Sequence, residues 1–144
     1  MTTLRMDHVG VIVDDLETAT AFFEELGMER EGDASVEGPW VDRINALDDV
    51  RVDIRMMRTP DGHGRLELTQ FRHPAVGGGE DAPPNTLGLR QVMFLVDDVD
   101  DIVSRLRAHG GRLVGEIAEY EDIYRLCYVR GPAGVIVALA QDLR

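Results

Sequence analysis

The sequence predicts an α+β fold of two βαβββ modules packed into one domain, and three observations carry that expectation. Asp7-His8-Val9-Gly10-Val11-Ile12-Val13-Asp14-Asp15 and Arg90-Gln91-Val92-Met93-Phe94-Leu95-Val96-Asp97-Asp98 are both apolar runs that end in an Asp pair. Each run leads into a segment of helical period. A second echo closes each half: Thr59-Pro60-Asp61-Gly62 precedes Leu66-Glu67-Leu68, and Gly131-Pro132-Ala133-Gly134 precedes Val137-Ala138-Leu139. A chain of 144 residues has room for one ordinary core, burying about 68–70% of its unfolded surface. The two halves are therefore expected to share one fold.

Residues 6–13 read as a buried strand of β-branched side chains around one histidine and one glycine. Asp14 and Glu17 have capping-box spacing, and the acids there suit the positive end of a helix dipole. Leu16, Ala19, Phe23 and Leu26 recur at helical spacing, Phe22 widens the stripe and Gly27 supplies the stop, so a helix is expected over 15–26. A short strand is expected near 28–33, then a Gly- and Pro-interrupted loop that carries Trp40. Residues 50–56 alternate apolar and charged, as a strand does with one face on a core. Thr59-Pro60-Asp61-Gly62 is a turn, and 65–71 alternates again.

Residues 73–88, with Gly77-Gly78-Gly79 and Pro83-Pro84, read as an exposed linker between modules spanning about 5–72 and 89–142. The second half repeats the order. A strand is expected over 91–96, Asp97 and Asp100 have N-cap spacing, and Val99, Ile102, Val103 and Leu106 form the apolar stripe. Gly110-Gly111 ends that helix, and strands follow near 112–118, 124–129 and 135–140. Neither module is large enough to bury its sheet alone, so the two should pack together.

Composition narrows the function. Net charge is −12, and every cationic side chain is arginine, which removes Schiff-base chemistry through a lysine. No block of the sequence is basic, so nucleic acid is not an expected partner. No apolar run approaches the ~18 residues of a membrane span, and the N-terminus has no basic-then-apolar signal. The single cysteine, Cys127, excludes an intrachain disulfide; it reads as a core residue and fits a reducing cytoplasm.

On the Asp-His-Val-Gly-Val-Ile-Val opening, the repeated Val-Asp-Asp ending and the Gly-Pro-x-Gly turn before the last strand, the chain resembles the vicinal oxygen chelate superfamily. That superfamily includes glyoxalase I, methylmalonyl-CoA epimerase, extradiol dioxygenases, fosfomycin-resistance enzymes and bleomycin-binding proteins. The resemblance implies a cup-shaped domain whose metal is held by one residue from the first and one from the last strand of each module. It places these positions at His8, Glu67, Gln91 and Ala138. His8 and Glu67 are sound ligands for Zn, Ni, Co, Mn or Fe, and Gln91 offers a weaker amide oxygen. Ala138 offers nothing where glyoxalase I and the epimerase carry a glutamate, so the implied site is incomplete. His63, His73 and His109 are expected on the surface.

With one histidine among these positions, oxygen chemistry and fosfomycin-type chemistry are disfavoured. Two readings remain. One is a metal-dependent, glyoxalase-like lyase or isomerase acting on a small oxygenated carbonyl compound, with Glu67, Glu119 or Glu121 as the available proton carriers. The other is a metal-free protein of the bleomycin-resistance type that binds a small molecule in an acidic, aromatic-lined cleft. In either case a homodimer is expected, because βαβββ units leave sheet edges in need of cover.

Overall fold

In the computed structural model, which describes residues 2–144, strand β1 (Val9–Ile12) is shorter than the apolar run that encodes it, and His8 lies just ahead of it. Helix α1 (Leu16–Leu26) follows, burying Leu16, Ala19, Phe22, Phe23 and Leu26. Its N-cap is Asp15 rather than the expected Asp14. The Asp15 carboxylate accepts from the Thr18 amide at 3.1 Å and the Thr18 hydroxyl at 2.9 Å, and the amide bond is the main reason its pKa lies below the usual value. Gly27 ends the helix at φ 113°, a left-handed geometry that a Cβ disfavours.

Strand β2 (Glu29–Glu37) runs four residues beyond the expected end. The stretch read as a loop then contains a helix, α2 (Pro39–Asn45). Pro39 starts it with a φ already suited to the first turn. The Asp42 carboxylate accepts from the amides of Asp49 and Val50 and ties down the chain that follows. Val41 is its one buried residue, clustered with Val50 and Val52 and packed by Val36, Ile54 and Phe71. Seven residues with one inward side chain produce no stripe, which is why the periodicity misses this helix.

Strands β3 (Arg51–Arg58) and β4 (Arg65–His73) complete a sheet in the order β1-β4-β3-β2. β1 and β4 are parallel, and the other neighbours are antiparallel. Leu66, Leu68 and Met57 lie on the α1 side and are buried. Residues in register with Gly10, namely Glu67 and Met56, lie on the opposite side. Arg55 is on the α1 side too, only 8% exposed. It is kept there by hydrogen bonds to Asp33 at 2.8 and 3.3 Å, to Glu17 at 2.9 Å and to the Thr20 hydroxyl at 3.1 Å. Each polar edge of the guanidinium is occupied, as a buried charge requires.

The chain divides into two compact units, one ending at Gly77 and the other Gly78–Arg144. The second contains β5 (Gln91–Leu95), α3 (Val99–Arg107), β6 (Arg112–Leu113), β7 (Ala118–Tyr120), β8 (Tyr124–Arg130) and β9 (Ile136–Asp142). Its sheet order is β5-β9-β8-β6, with β7 also paired to β8, and β5 and β9 are parallel. The single strand expected near 112–118 is two short ones. From Leu113 to Ala118 the chain takes five steps while β8 takes three, from Val129 to Leu126, so the ladder cannot close between them. Cys127 is buried, and desolvation raises its thiol pKa.

Asp98, not Asp97, caps α3, accepting from the Asp101 amide at 3.0 Å. A second device is shared by both units. The Leu16 amide donates to Gln70 Oε1 at 2.8 Å, and the Val99 amide donates to Gln141 Oε1 at 3.0 Å. Each closing strand thus satisfies the first backbone donor of its unit's main helix. Residues 74–90 hold no helix or strand and are mostly exposed, and the segment is tethered. Arg112 donates to Asp81 at 2.7 Å and Arg130 to the Ala82 carbonyl at 2.8 Å. Gly134, at φ 77°, lies so near that a Cβ there would meet the Glu80 carbonyl at 3.0 Å. No helix among the described residues is long and apolar enough to cross a membrane.

Gln70→Ala and Gln141→Ala should each lower unfolding free energy by about 1 kcal/mol, read from urea denaturation. Gln70→Glu should be nearly neutral, because it keeps the acceptor and adds charge at the positive end of α1. The Arg55 bonds hold the Asp33 carboxyl below its ordinary 3.8. That contribution is present above pH 3.8 and is lost as pH falls through the lower folded value. Asp33→Asn should therefore be less stable at neutral pH, and the deficit should shrink as pH falls below 3.8 in a pH series of melting curves.

Candidate metal and substrate site

Parallel pairing of β1 with β4 places Gly10 beside Glu67. His8, two residues before Gly10, falls on the same side of the chain. His8 Nε2 and Glu67 Oε2 are 3.4 Å apart, and both side chains are about one-third exposed. The other half of each group is already engaged. Glu67 Oε1 accepts from the Thr69 hydroxyl at 3.1 Å, and His8 Nδ1 contacts Asp7 Oδ2 at 2.7 Å.

Asp7 is held in turn by Arg5 at 3.0 Å and by Arg65, whose Nη1 spans both carboxylate oxygens at 3.2 Å. Arg65 also grips Glu31. The hydrogen bond with His8 and then that with Arg5 keep the Asp7 pKa below the usual carboxylate value. An ionised Asp7 can only accept, so Nδ1 is the nitrogen that donates to it, and Nε2 is the one turned toward Glu67. Two lone-pair atoms facing each other at 3.4 Å are favourable only with a cation between them, a proton or a metal ion. The carboxylate–histidine pairing behind Nε2 is the arrangement that orients an imidazole for metal.

The second unit keeps this framework without its chemistry. Met93 pairs with Ala138 as Gly10 pairs with Glu67, so Gln91 holds the register position of His8 and Ala138 that of Glu67. Gln91 is exposed at the start of β5, and Ala138 is fully buried in register with Tyr128. The structure thus brings His8 and Glu67 together, and Gln91 belongs to the other unit. Among the described residues no three or more His, Cys, Asp or Glu side chains gather where they could hold a metal. The donors present fit a divalent cation in part: one well-oriented imidazole, one carboxylate, and no second acid at the repeat position.

The remaining candidates separate clearly. Glu119 pairs with Arg125, which binds Asp100 of α3, so it lies on the α3 side of its sheet, opposite Ala138. Glu121 is exposed in the turn after β7. His63 is exposed, His109 is partly buried beyond α3, and His73 is fixed at 2.7 Å to the Asp49 carbonyl. Trp40 is half exposed on α2, and Tyr120 pairs across strands with Tyr124.

Two features lay outside the sequence reading. One is Asp7, whose adjacency to His8 was its only signal. The other is an apolar cavity of about 260 Å³ in the first unit, lined by Ile12, Leu47, Phe71, Pro74 and Val76 among others. A second cleft, of about 400 Å³ beside the start of α1, is lined by Glu17, Asp33, Asp53 and Arg55, whose charges answer one another.

The sequence signature described as Glyoxalase/Bleomycin resistance protein/Dioxygenase superfamily matches residues 5–139. The chain belongs to that superfamily. A solved glyoxalase family protein from Bacillus cereus is 48% identical; the match covers 100% of this chain and 97% of that one, with a TM-score of 0.94. The expected α+β fold of βαβββ modules is therefore shown, with α2 inserted in the first. A glyoxalase family protein from Enterococcus faecalis (17% identity, 97% and 99% coverage, TM-score 0.64) shares the fold. So does a mutant fosfomycin resistance protein from Listeria monocytogenes solved with Mn(II) and a dihydroxypropylphosphonic acid (14% identity, 96% and 90% coverage, TM-score 0.62). No curated protein matches the sequence.

The tautomer assigned to this glyoxalase-superfamily chain is open to direct measurement. In long-range ¹H–¹⁵N spectra of the metal-free protein at alkaline pH, His8 should appear as the Nδ1-protonated form. Asp7→Asn should shift His8 toward a tautomer mixture, because the amide no longer imposes a single hydrogen-bond role.

Proposed function

We propose that this protein is a glyoxalase-like lyase or isomerase that moves a proton next to the carbonyl of a small oxygenated substrate, using a loosely held divalent metal. The observation that carries the reading is the 3.4 Å approach of His8 Nε2 to Glu67 Oε2, with Asp7 fixing the imidazole behind it. His8 and Glu67 are the proposed ligands, and Gln91 the third on the strength of its repeat position. A metal there, Zn, Ni, Co, Mn or Fe, would lower the cost of negative charge developing on a carbonyl oxygen.

The chain's own residues take the other roles. Glu67 is the proposed catalytic group because it is the carboxylate on the side of β4 away from α1, whereas Glu119 is committed to the opposite side of its own sheet. Thr69 positions the carboxylate through Oε1, while Oε2 faces His8 Nε2. Arg65 and Arg5 hold Asp7 ionised and in place, so its carboxylate fixes the orientation of the His8 ring through Nδ1. A homodimer in the cytoplasm completes the proposal, supported by the outer strands β2 and β6, each paired on one side only.

One observation favours the other reading, a metal-free small-molecule binder of the bleomycin-resistance type: Ala138 replaces the second acid and is sealed from solvent. Calorimetric titration with Ni, Co, Zn and Mn after chelator treatment separates the two. The enzyme reading expects one metal per chain, weakened by His8→Ala and Glu67→Gln, and by about 10-fold in Asp7→Asn. No metal binding at micromolar protein would favour the binder. Solvent deuterium uptake into α-hydroxycarbonyl compounds, followed by NMR, should require the metal and fall at least about 100-fold in Glu67→Gln.

A further inference from the structure

We propose that the substrate is an amphiphile whose oxygen-bearing head sits at His8 and Glu67 and whose apolar tail runs over Gly10 into the cavity between Ile12 and Phe71. The proposal rests on the reading of His8 and Glu67 given above and adds the substrate class. Along β1, His8, Gly10 and Ile12 point to one side; along β4, Glu67, Thr69 and Phe71 do the same, with Gly10 paired to Glu67 and Ile12 to Thr69. Four residues of strand put the far end about 13 Å from the acid–histidine pair.

On the β1 side the path is open at Gly10. A Cβ added to Gly10 would meet no atom within 4 Å, and its backbone is ordinary, so the absent side chain leaves free space rather than relieving a clash. Glycine weakens a strand, so its place here asks for a reason beyond the fold. At the end of the path the lining side chains are aliphatic or aromatic, with some backbone polar atoms among them, and Ile12, Leu47 and Val76 remain more than 40% exposed. Its wall is set by Phe71, which packs with Val36 and Ile54 on the Val41-Val50-Val52 cluster of α2.

That lining selects the tail. A hydroxylated or charged tail would lose its water and find no polar side chain in return. A chain carrying net charge −12 further disfavours an anionic one. An alkyl or aryl tail buries the exposed wall instead, and the volume of about 260 Å³ suits one short branch or ring rather than a long acyl chain.

The test uses straight-chain hydroxamates, from acetohydroxamate to octanohydroxamate, titrated calorimetrically into the nickel-loaded protein. Their head supplies two adjacent oxygens, and only the tail varies. Affinity should rise about threefold to fourfold per methylene until the cavity is filled. Gly10→Val, which blocks the path at a position where a strand favours valine, should flatten the dependence on length. Ile12→Asp should do so as well. If acetohydroxamate binds and longer chains bind no tighter, or if both variants keep the full slope, the tail path is wrong and the metal reading stands. If the slope persists in metal-free His8→Ala, the path holds and the metal reading fails. If no chain binds, both are overturned.

Discussion

Parallel pairing between the last and first strands of each unit is the constraint on which the rest depends. β4 returns beside β1, and β9 beside β5, across a whole helix and two antiparallel strands. Only this return brings Glu67 to His8, residues that are far apart in the chain. It also brings Gln70 and Gln141 to the first amides of α1 and α3. A parallel pair lacks a tight turn to fix its register. The glutamine bonds supply such a fix, since a slip of one residue would remove the cap and turn Leu66 and Leu68 outward.

The two units keep the same skeleton while their chemistry has diverged. In the first, the position beside Gly10 carries a carboxylate tied to Thr69; in the second, the matching position beside Met93 carries a methyl group closed off in register with Tyr128. The arginines follow the same division of labour in both. Arg55 and Arg125 each reach from the middle of a sheet to an acid in the first turn of the helix, Glu17 and Asp100. These pairs serve the fold, and their acids are accordingly unavailable for catalysis. Arg65 and Asp7 serve the site, because they act on the one imidazole that faces a carboxylate.

The sequence by itself determined the repeat, the strands and long helices, the burial of Leu66 and Leu68 around Glu67, and the family to which the chain belongs. Those properties follow from short-range periodicity, which a one-dimensional string records faithfully. It misplaced both caps by one residue, because Asp14 and Asp15, like Asp97 and Asp98, are adjacent acids and only the backbone geometry at 15 and 98 distinguishes them. It missed α2, whose one buried residue, Val41, packs on Val50 and Val52 and on side chains of β2, β3 and β4, so the helix is held by these contacts rather than by its own pattern. It also missed the break between β6 and β7, since that depends on the count of residues in a facing strand. Only the tertiary structure decided that Asp7 orients His8, that Glu119 faces the wrong side, and that bare backbone at Gly10 leads from the donor pair toward an apolar cavity. Each of these is a contact between residues distant in sequence or a matter of which face a side chain takes, and strand register fixes both only once the chain has folded.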